Sequence, residues 1–178
     1  MEFKAKILDE MQFARTMTRI THEIIEKNHG AQGVCLVGVK RRGVPLAAML
    51  AENILQFEGI SVPVGYVDIS LYRDDLTETT TMPKSTDSVI PCNVNDYVVI
   101  IVDDVIFTGR TARAAMEAVL NYGRPKAIQL AVLVDRGHRE MPIRPDYVGK
   151  NIPTSNNEQV CVLIPDIDSE LGVNLYSK

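Results

Sequence analysis

Only three cysteines occur in the sequence, Cys35, Cys92 and Cys161, an odd number at wide spacing. With no C-x-x-C pair, neither a zinc site nor a dithiol redox motif is indicated, and Cys35 and Cys161 sit in apolar, strand-like runs that mark them as packing residues. No apolar run approaches the length needed to span a bilayer, and the opening Met-Glu-Phe-Lys-Ala-Lys lacks the apolar core of a signal peptide. A cytoplasmic protein with no membrane partner is expected. Excess positive charge is missing as well: the formal net charge is −4, which predicts no general affinity for nucleic acid and confines any RNA or DNA site to a local basic face. The sequence contains no G-x-S-x-G, no H-E-x-x-H and no Walker A pattern, and no internal repeat or low-complexity segment. Its hydrophobic content of 46% and charged content of 24% are ordinary for a folded domain, and 178 residues suit one domain with a substantial core.

What the chain does have is centred on residues 99–111, Val-Ile-Ile-Val-Asp-Asp-Val-Ile-Phe-Thr-Gly-Arg-Thr. The apolar β-branched run predicts a strand buried on both faces, as in a parallel sheet, and the apolar 3.6-residue period after Thr111 predicts a helix. Strand ends in open α/β sheets face a crevice where ligands bind, and a helix N-terminus offers N–H groups and partial positive charge to an anion. Thr108, Gly109, Arg110 and Thr111 therefore make a candidate phosphate turn. Asp103 and Asp104, at the strand's end, are acceptor-only groups suited to vicinal sugar hydroxyls or to a metal-bound water. Together these point to a ribose 5-phosphate. The plainer alternative is a buried strand whose acids merely cap the following helix.

Ahead of this centre, residues 9–28 read as an amphipathic helix with Phe13, Met17, Ile20 and Ile24 on one face. Arg15, Arg19 and His22 fall together on the opposite face with Thr18 at its edge, as a solvated face or as something more. Residues 34–39 predict a short buried strand, followed by Lys40-Arg41-Arg42-Gly43 and a helix from near Pro45 to about Phe57, stopped at Gly59. Three cations and a glycine in a strand-to-helix turn would form a second anion site, placed for a pyrophosphate if the two strands are neighbours. Alone, the triplet would mark only an exposed loop. Residues 62–71 alternate like a strand, and residues 72–96, rich in Thr, Asp, Ser and Pro, read as a long lid-like or disordered loop. After the centre, Ala112, Ala115, Met116, Val119 and Leu120 predict the apolar face of a helix ending at Gly123. Residues 126–134 predict a strand delivering Asp135-Arg136-Gly137-His138-Arg139-Glu140 to the same sheet edge. The alternation predicts a parallel-sheet α/β domain. Beyond Glu140 the pattern breaks into short strands at 147–149 and 159–164, as for a small subdomain over the sheet's edge.

The central stretch closely resembles the phosphoribosyl-pyrophosphate (PRPP) signature of type I phosphoribosyltransferases: four apolar residues, two acids, then Thr-Gly and a final Thr. The resemblance implies one domain over 1–178, with a mainly parallel central sheet flanked by helices, a flexible loop at about 72–96, and a hood from about 135 to 178 with part of the N-terminus. It also implies PRPP contacts from Val99, Asp103, Asp104, Thr108, Gly109, Arg110 and Thr111, and a pyrophosphate loop at Lys40, Arg41, Arg42 and Gly43. Arg73 is the candidate pyrophosphate contact from the loop and a catalytic candidate beside Asp103 and Asp104. Mg²⁺ is expected to arrive with PRPP, coordinated by its oxygens and by water, with no metal site on the chain itself.

Residues 134–154, the helix carrying Thr18-Arg19 and His22-Glu23, and Leu71-Tyr72-Arg73-Asp74-Asp75-Leu76 resemble a narrower family, the bifunctional pyrimidine operon regulators that are also uracil phosphoribosyltransferases. That resemblance implies a base pocket at Val134, Asp135, Arg136 and His138. It further implies a surface for a stem-loop of pyrimidine messenger RNA from Arg15, Thr18, Arg19, His22, Lys27, His138, Arg139, Arg144 and Lys150, made on forming a homodimer or larger oligomer. Uracil, UMP and UTP are the implied small ligands, and transcription attenuation the implied output. Two departures stand out: Lys27 replaces an arginine frequent in the family, keeping the charge without the planar fork, and Arg41 replaces a smaller polar residue. The competing readings are a purine-base phosphoribosyltransferase without an RNA role and a nucleotide-sensing regulator that no longer turns over.

Overall fold

The computed structural model describes residues 1–69 and 87–178. Its elements are β1 (Glu2–Leu8), α1 (Glu10–Lys27), β2 (Val34–Val39), α2 (Gly43–Glu58), β3 (Val64–Val67), β4 (Val98–Ile106), α3 (Arg110–Leu120), β5 (Ala127–Asp135), β6 (Tyr147–Asn151), β7 (Glu158–Leu163), α4 (Pro165–Asp168) and β8 (Gly172–Ser177), with a 3-10 turn at Val94–Asp96. β3-β2-β4-β5-β6 form an all-parallel sheet, and β1-β8-β7 a separate antiparallel one.

The buried runs explain the parallel sheet. All six residues of β2 are buried, and alternation along the inner strands feeds two cores. Leu36, Ile100, Val102 and Leu133 meet α1 and α2 on one face, while Val37, Val99, Ile101 and Val132 meet α3 on the other. Asp9 starts α1 with a capping box, its carboxylate accepting from the Gln12 N–H at 2.8 Å while Gln12 accepts from the Asp9 N–H at 3.0 Å. Gly59 ends α2 in the left-handed region.

The chain leaves β2 for β3 on one side and returns to β4 on the other. Strand order therefore reverses between β2 and β4, which places a crevice at their C-terminal ends. The two turns expected to hold anions follow these neighbouring strands.

Several boundaries differ from the sequence expectation. β3 spans only Val64–Val67 rather than 62–71, because this edge strand has one full partner and the chain then bends with the Asp68 N–H donating to Ser88. The expected long loop is narrower at its far end: Val89 bridges Tyr66, and Ile90 and Val94 are buried against the α3 side of the sheet. Arg73 and the rest of 70–86 lie outside the described residues. In α3, Leu120 is 52% exposed and Ala114 and Ala118 are buried instead, so the apolar face is rotated from the expected one. Tyr147–Asn151, grouped with the hood on sequence, joins the main sheet beside β5; Tyr147 is buried, its hydroxyl donating to Gln129 at 2.7 Å. β1 was not foreseen, since its burial depends on the distant β8 and its own pattern is mostly exposed.

Candidate active site

The residues at the β2/β4 crevice converge because each strand gives out at a different point. β4 pairs with β2 only as far as Val102, opposite Gly38, yet continues along β5 to Ile106. Asp103 and Asp104 therefore lie within β4 and not beyond its end, on a stretch where the β2 side is open. The turn after β2 fills that opening. Gly43 makes this possible, since a β-carbon there would sit 2.3 Å from the Val102 carbonyl oxygen.

The resulting pocket has a volume of about 510 Å³ and is walled by Val39, Lys40, Arg41, Arg42, Asp68, Ile69, Asp103, Asp104, Val105 and Thr111. A smaller one of about 130 Å³ shares Asp103, Val105 and Thr111 with it and adds Phe107, Thr108 and Gly109. The Lys40–Arg42 turn and the acid pair thus face the larger hollow, and the Thr108–Thr111 turn faces the smaller one beside it, with Asp103, Val105 and Thr111 in both walls. Gly109 takes a positive φ of 94° just before α3, and Thr108 Oγ1 accepts the Arg110 N–H at 3.3 Å, shaping the turn at the helix N-terminus. The Thr108 carbonyl accepts from the Glu140 and Met141 N–H groups at 2.9 and 3.1 Å, and Arg110 Nε donates to Glu140 at 2.9 Å. The segment after β5 is pinned to the phosphate turn in this way.

Charge in the hollow is uneven. Burial pushes the Asp103 carboxyl well above the usual carboxylate range, and the neighbouring Asp104 charge adds to the rise. Asp104 is also raised by burial, opposed by hydrogen bonds and by the Arg42 charge. Two adjacent carboxylates that burial disfavours as anions are suited to meet hydroxyls or a hydrated cation. Lys40 Nζ lies 2.5 Å from Asp87, 3.7 Å from Asp68 and 4.7 Å from the centre of the Tyr66 ring. Its hydrogen bond to Asp87 raises its pKa, so it stays a cation. Among the described residues no group of three or more His, Cys, Asp or Glu side chains is placed to hold a metal ion.

The remaining expected residues separate into groups. Val99 and Val134 are fully buried in the two cores and line neither hollow, so they support the sheet. Arg136, 7% exposed, turns away from the hollow: Nε donates to Thr154 Oγ1 at 3.0 Å, Nη2 to the Ser155 and Glu158 carbonyls at 3.2 and 2.8 Å, and the guanidinium sits 4.2 Å from the Phe107 ring centre. His138 bonds the Thr154 carbonyl at 2.5 Å and meets Phe107 edge-on. Arg139 donates to the Asp135 carboxylate and to the Phe107 and Ile143 carbonyls, so its fork shapes the 136–143 segment from within. Asp135 also accepts the Gly137 N–H at 2.9 Å.

On α1, Arg15, Arg19, His22 and Lys27 are exposed and Thr18 is half-buried. Arg19 reaches Glu23 and the Val148 and Gly149 carbonyls, Lys27 reaches Asp146 at 2.5 Å, and His22 stacks on Phe57 with ring centres 4.5 Å apart. These bonds bring the α1 face beside the segment carrying Arg144 and Lys150, both exposed. Sequence reasoning missed Asp68 and Ile69 in the wall, Phe107 at the turn, and Asp168, which bonds Arg42. Phe107 alone had a local signal, standing inside the central motif.

No helix among the described residues is long and apolar enough to cross a membrane. A family model described as the phosphoribosyl transferase domain matches residues 4–165. The bifunctional protein PyrR of Clostridium novyi is 58% identical over 178 residues, covering 100% of both chains, and that of Thermus aquaticus is 52% identical, covering 100% of this chain and 98% of its own. Among solved structures, a hypoxanthine phosphoribosyltransferase of Trypanosoma cruzi superposes with a TM-score of 0.76 at 19% identity, covering 98% of this chain and 97% of that one. A hypoxanthine-guanine phosphoribosyltransferase of Bacillus anthracis gives 0.72 at 20%, covering 100% of both. The fold is that of the type I phosphoribosyltransferases, and the chain belongs to the phosphoribosyl transferase domain family and, within it, to the bifunctional PyrR proteins.

Proposed function

We propose that this protein converts uracil and PRPP to UMP and pyrophosphate, and that, charged with a uridine nucleotide, it binds a stem-loop in pyrimidine messenger RNA to promote transcription attenuation. The observation that carries the enzymatic half is the pair of adjoining hollows, with Asp103 and Thr111 in both walls, that bring the Lys40–Arg42 turn, the acid pair and the Thr108–Thr111 turn together. Transfer of ribose 5-phosphate stretches the anomeric C–O bond until the sugar resembles an oxocarbenium ion, and a pyrophosphate departs. Positioning and charge stabilisation dominate such a step, and no protein nucleophile is needed.

In this reading Thr108 to Thr111 hold the 5′-phosphate with hydroxyls and backbone N–H groups. Asp103 and Asp104 hold the ribose hydroxyls or the water shell of Mg²⁺, which when bound with PRPP neutralises pyrophosphate charge. Lys40, Arg41 and Arg42 receive the leaving pyrophosphate. The base is assigned to the 135–154 segment, whose 136–143 stretch Arg139 holds to the end of β4 through the Ile143 and Phe107 carbonyls.

The messenger surface in this reading is the exposed α1 face with Arg144 and Lys150, completed in a homo-oligomer. A local cationic patch holds phosphates despite the net charge of −4. Incubation with uracil, PRPP and Mg²⁺, with hypoxanthine and guanine in parallel, tests the enzyme half. UMP formation restricted to uracil is expected; turnover of the purines in its place would move the protein to base salvage.

A further inference from the structure

Asp168 ends α4, a single turn between β7 and β8, and in sequence it stands 126 residues from Arg42. Its carboxylate nevertheless reaches the hollow's wall. Oδ1 accepts from Arg42 Nη2 at 2.7 Å, while Oδ2 accepts the Ile164 N–H at 3.1 Å. Ile164 is fully buried, so the carboxylate is braced from behind by the core of the protein. The two side chains are 34% and 19% exposed, which limits screening by water compared with an open surface pair.

Arg42 has the matching half of the geometry. It lines the same hollow as Asp103 and Asp104, and its charge opposes the rise in the Asp104 pKa. Its Nε is buried with no hydrogen-bond partner among the described residues. A guanidinium is a rigid planar fork, so fixing Nη2 also fixes the direction of Nε–H. With Nε enclosed and Nη2 held, the part of the guanidinium left exposed is what an anion in the hollow can meet. Asp168 itself shows the strength of the link. Burial alone would raise its carboxyl, but the Arg42 hydrogen bond and the Ile164 N–H hold it below the usual range.

We propose that Asp168 is a positioning residue for the phosphoribosyl reaction: by gripping Arg42 Nη2 it aims the guanidinium beside the acid pair, so that its exposed part donates to an oxygen of the pyrophosphorylated sugar. The inference rests on the phosphoribosyltransferase reading and adds a long-range support from the antiparallel sheet to the turn after β2. Without the grip, Arg42 must be ordered by the substrate itself, and that cost falls on binding more than on the chemical step.

Asp168→Asn removes the charge but keeps an oxygen for the Ile164 N–H. Asp168→Ser keeps a smaller acceptor and gives a second reading should the first fold poorly. Asp166→Asn, on the exposed side of the same turn, is the control. PRPP binding with Mg²⁺ by calorimetry is read beside KM, kcat and the melting temperature. The Asp168 variants are expected to weaken PRPP binding and raise its KM about tenfold, the loss of one charge-assisted hydrogen bond, with kcat within about twofold and melting nearly unchanged. Unchanged PRPP affinity in both variants overturns the inference, as does tighter binding, which would mean that Asp168 competes for Arg42. A fall in kcat and melting temperature at constant KM overturns it too, as a structural role. If the wild-type protein binds no PRPP, the phosphoribosyltransferase reading falls and this inference with it; wild-type binding matched by the variants removes the inference alone.

Discussion

Gly43 stands so close to Val102 that a β-carbon on it would lie 2.3 Å from the Val102 carbonyl oxygen. This approach lets the turn after β2 close over the open side of β4 and bring Arg42 beside Asp104. Gly43→Ala should therefore drive the turn off β4. An overpacked backbone contact of this kind costs about 3 kcal/mol, and UMP formation should fall at least tenfold. Denaturant unfolding together with the uracil assay checks both.

The acid pair makes a prediction about pH. Asp103 and Asp104 have folded pKa values raised from 3.8, mainly by burial, so between that value and the raised one the native state holds more protons than the unfolded chain. Stability from this pair is present at low pH and is lost as pH rises through the window. Asp103→Asn keeps an oxygen for the Asp104 N–H and removes the charge. It should melt higher than wild type near pH 7, by ~2–4 °C for each ~1 kcal/mol relieved, with the gap closing toward pH 3, while UMP formation drops. A melting difference that stays constant across pH would contradict the assignment.

Arg136 has no such trade-off. Its three donor contacts serve Thr154, Ser155 and Glu158, and its face covers Phe107. Arg136→Met should cost about 3 kcal/mol by leaving the buried Thr154 hydroxyl and the Ser155 and Glu158 carbonyls without their donor, and should damage every activity through the fold. Circular-dichroism melts of the variant measure that loss.

Exposed cations should behave in the opposite way. Arg15→Ala and His22→Ala touch residues on the outer face of α1, remote from the acid pair in the fold. Each should weaken stem-loop binding by about 1 kcal/mol at fixed salt and leave uracil turnover unchanged. Arg139→Ala should disturb both, because its donors hold the 136–143 segment in shape. Filter binding and the uracil assay on the same preparations separate the two kinds of residue.

Local sequence made residues 99–111 readable: apolar run, acids, small turn and helix succeed one another within a single βα unit. The helix of residues 9–28 and the strand of 34–39 were equally plain, since period and burial coincide there. What the sequence did not reveal depends on distant pairings. β1 is a strand because β8 lies beside it, Tyr147–Asn151 belongs to the main sheet because β5 accepts it, and Asp168 reaches Arg42 only through the packed three-stranded sheet. The resemblance implies a base contact for Arg136 and an RNA contact for Arg139, and in the fold their donors go to Thr154, Ser155 and Glu158 and to Asp135, Phe107 and Ile143. Residue type and position point to the candidate site, while the partners that occupy each donor are visible only in three dimensions.

One nucleotide site is proposed to serve both catalysis and RNA control. The product UMP should occupy the Thr108–Thr111 turn and favour the RNA-competent state, which requires its affinity for that state to be greater. The direct measurement is the affinity of the wild-type protein for a pyrimidine-operon stem-loop across a UMP titration at constant salt. Affinity should rise about tenfold or more to a plateau, with the rise lost in Thr111→Ala. Affinity that stays flat while UMP saturates the protein would contradict it.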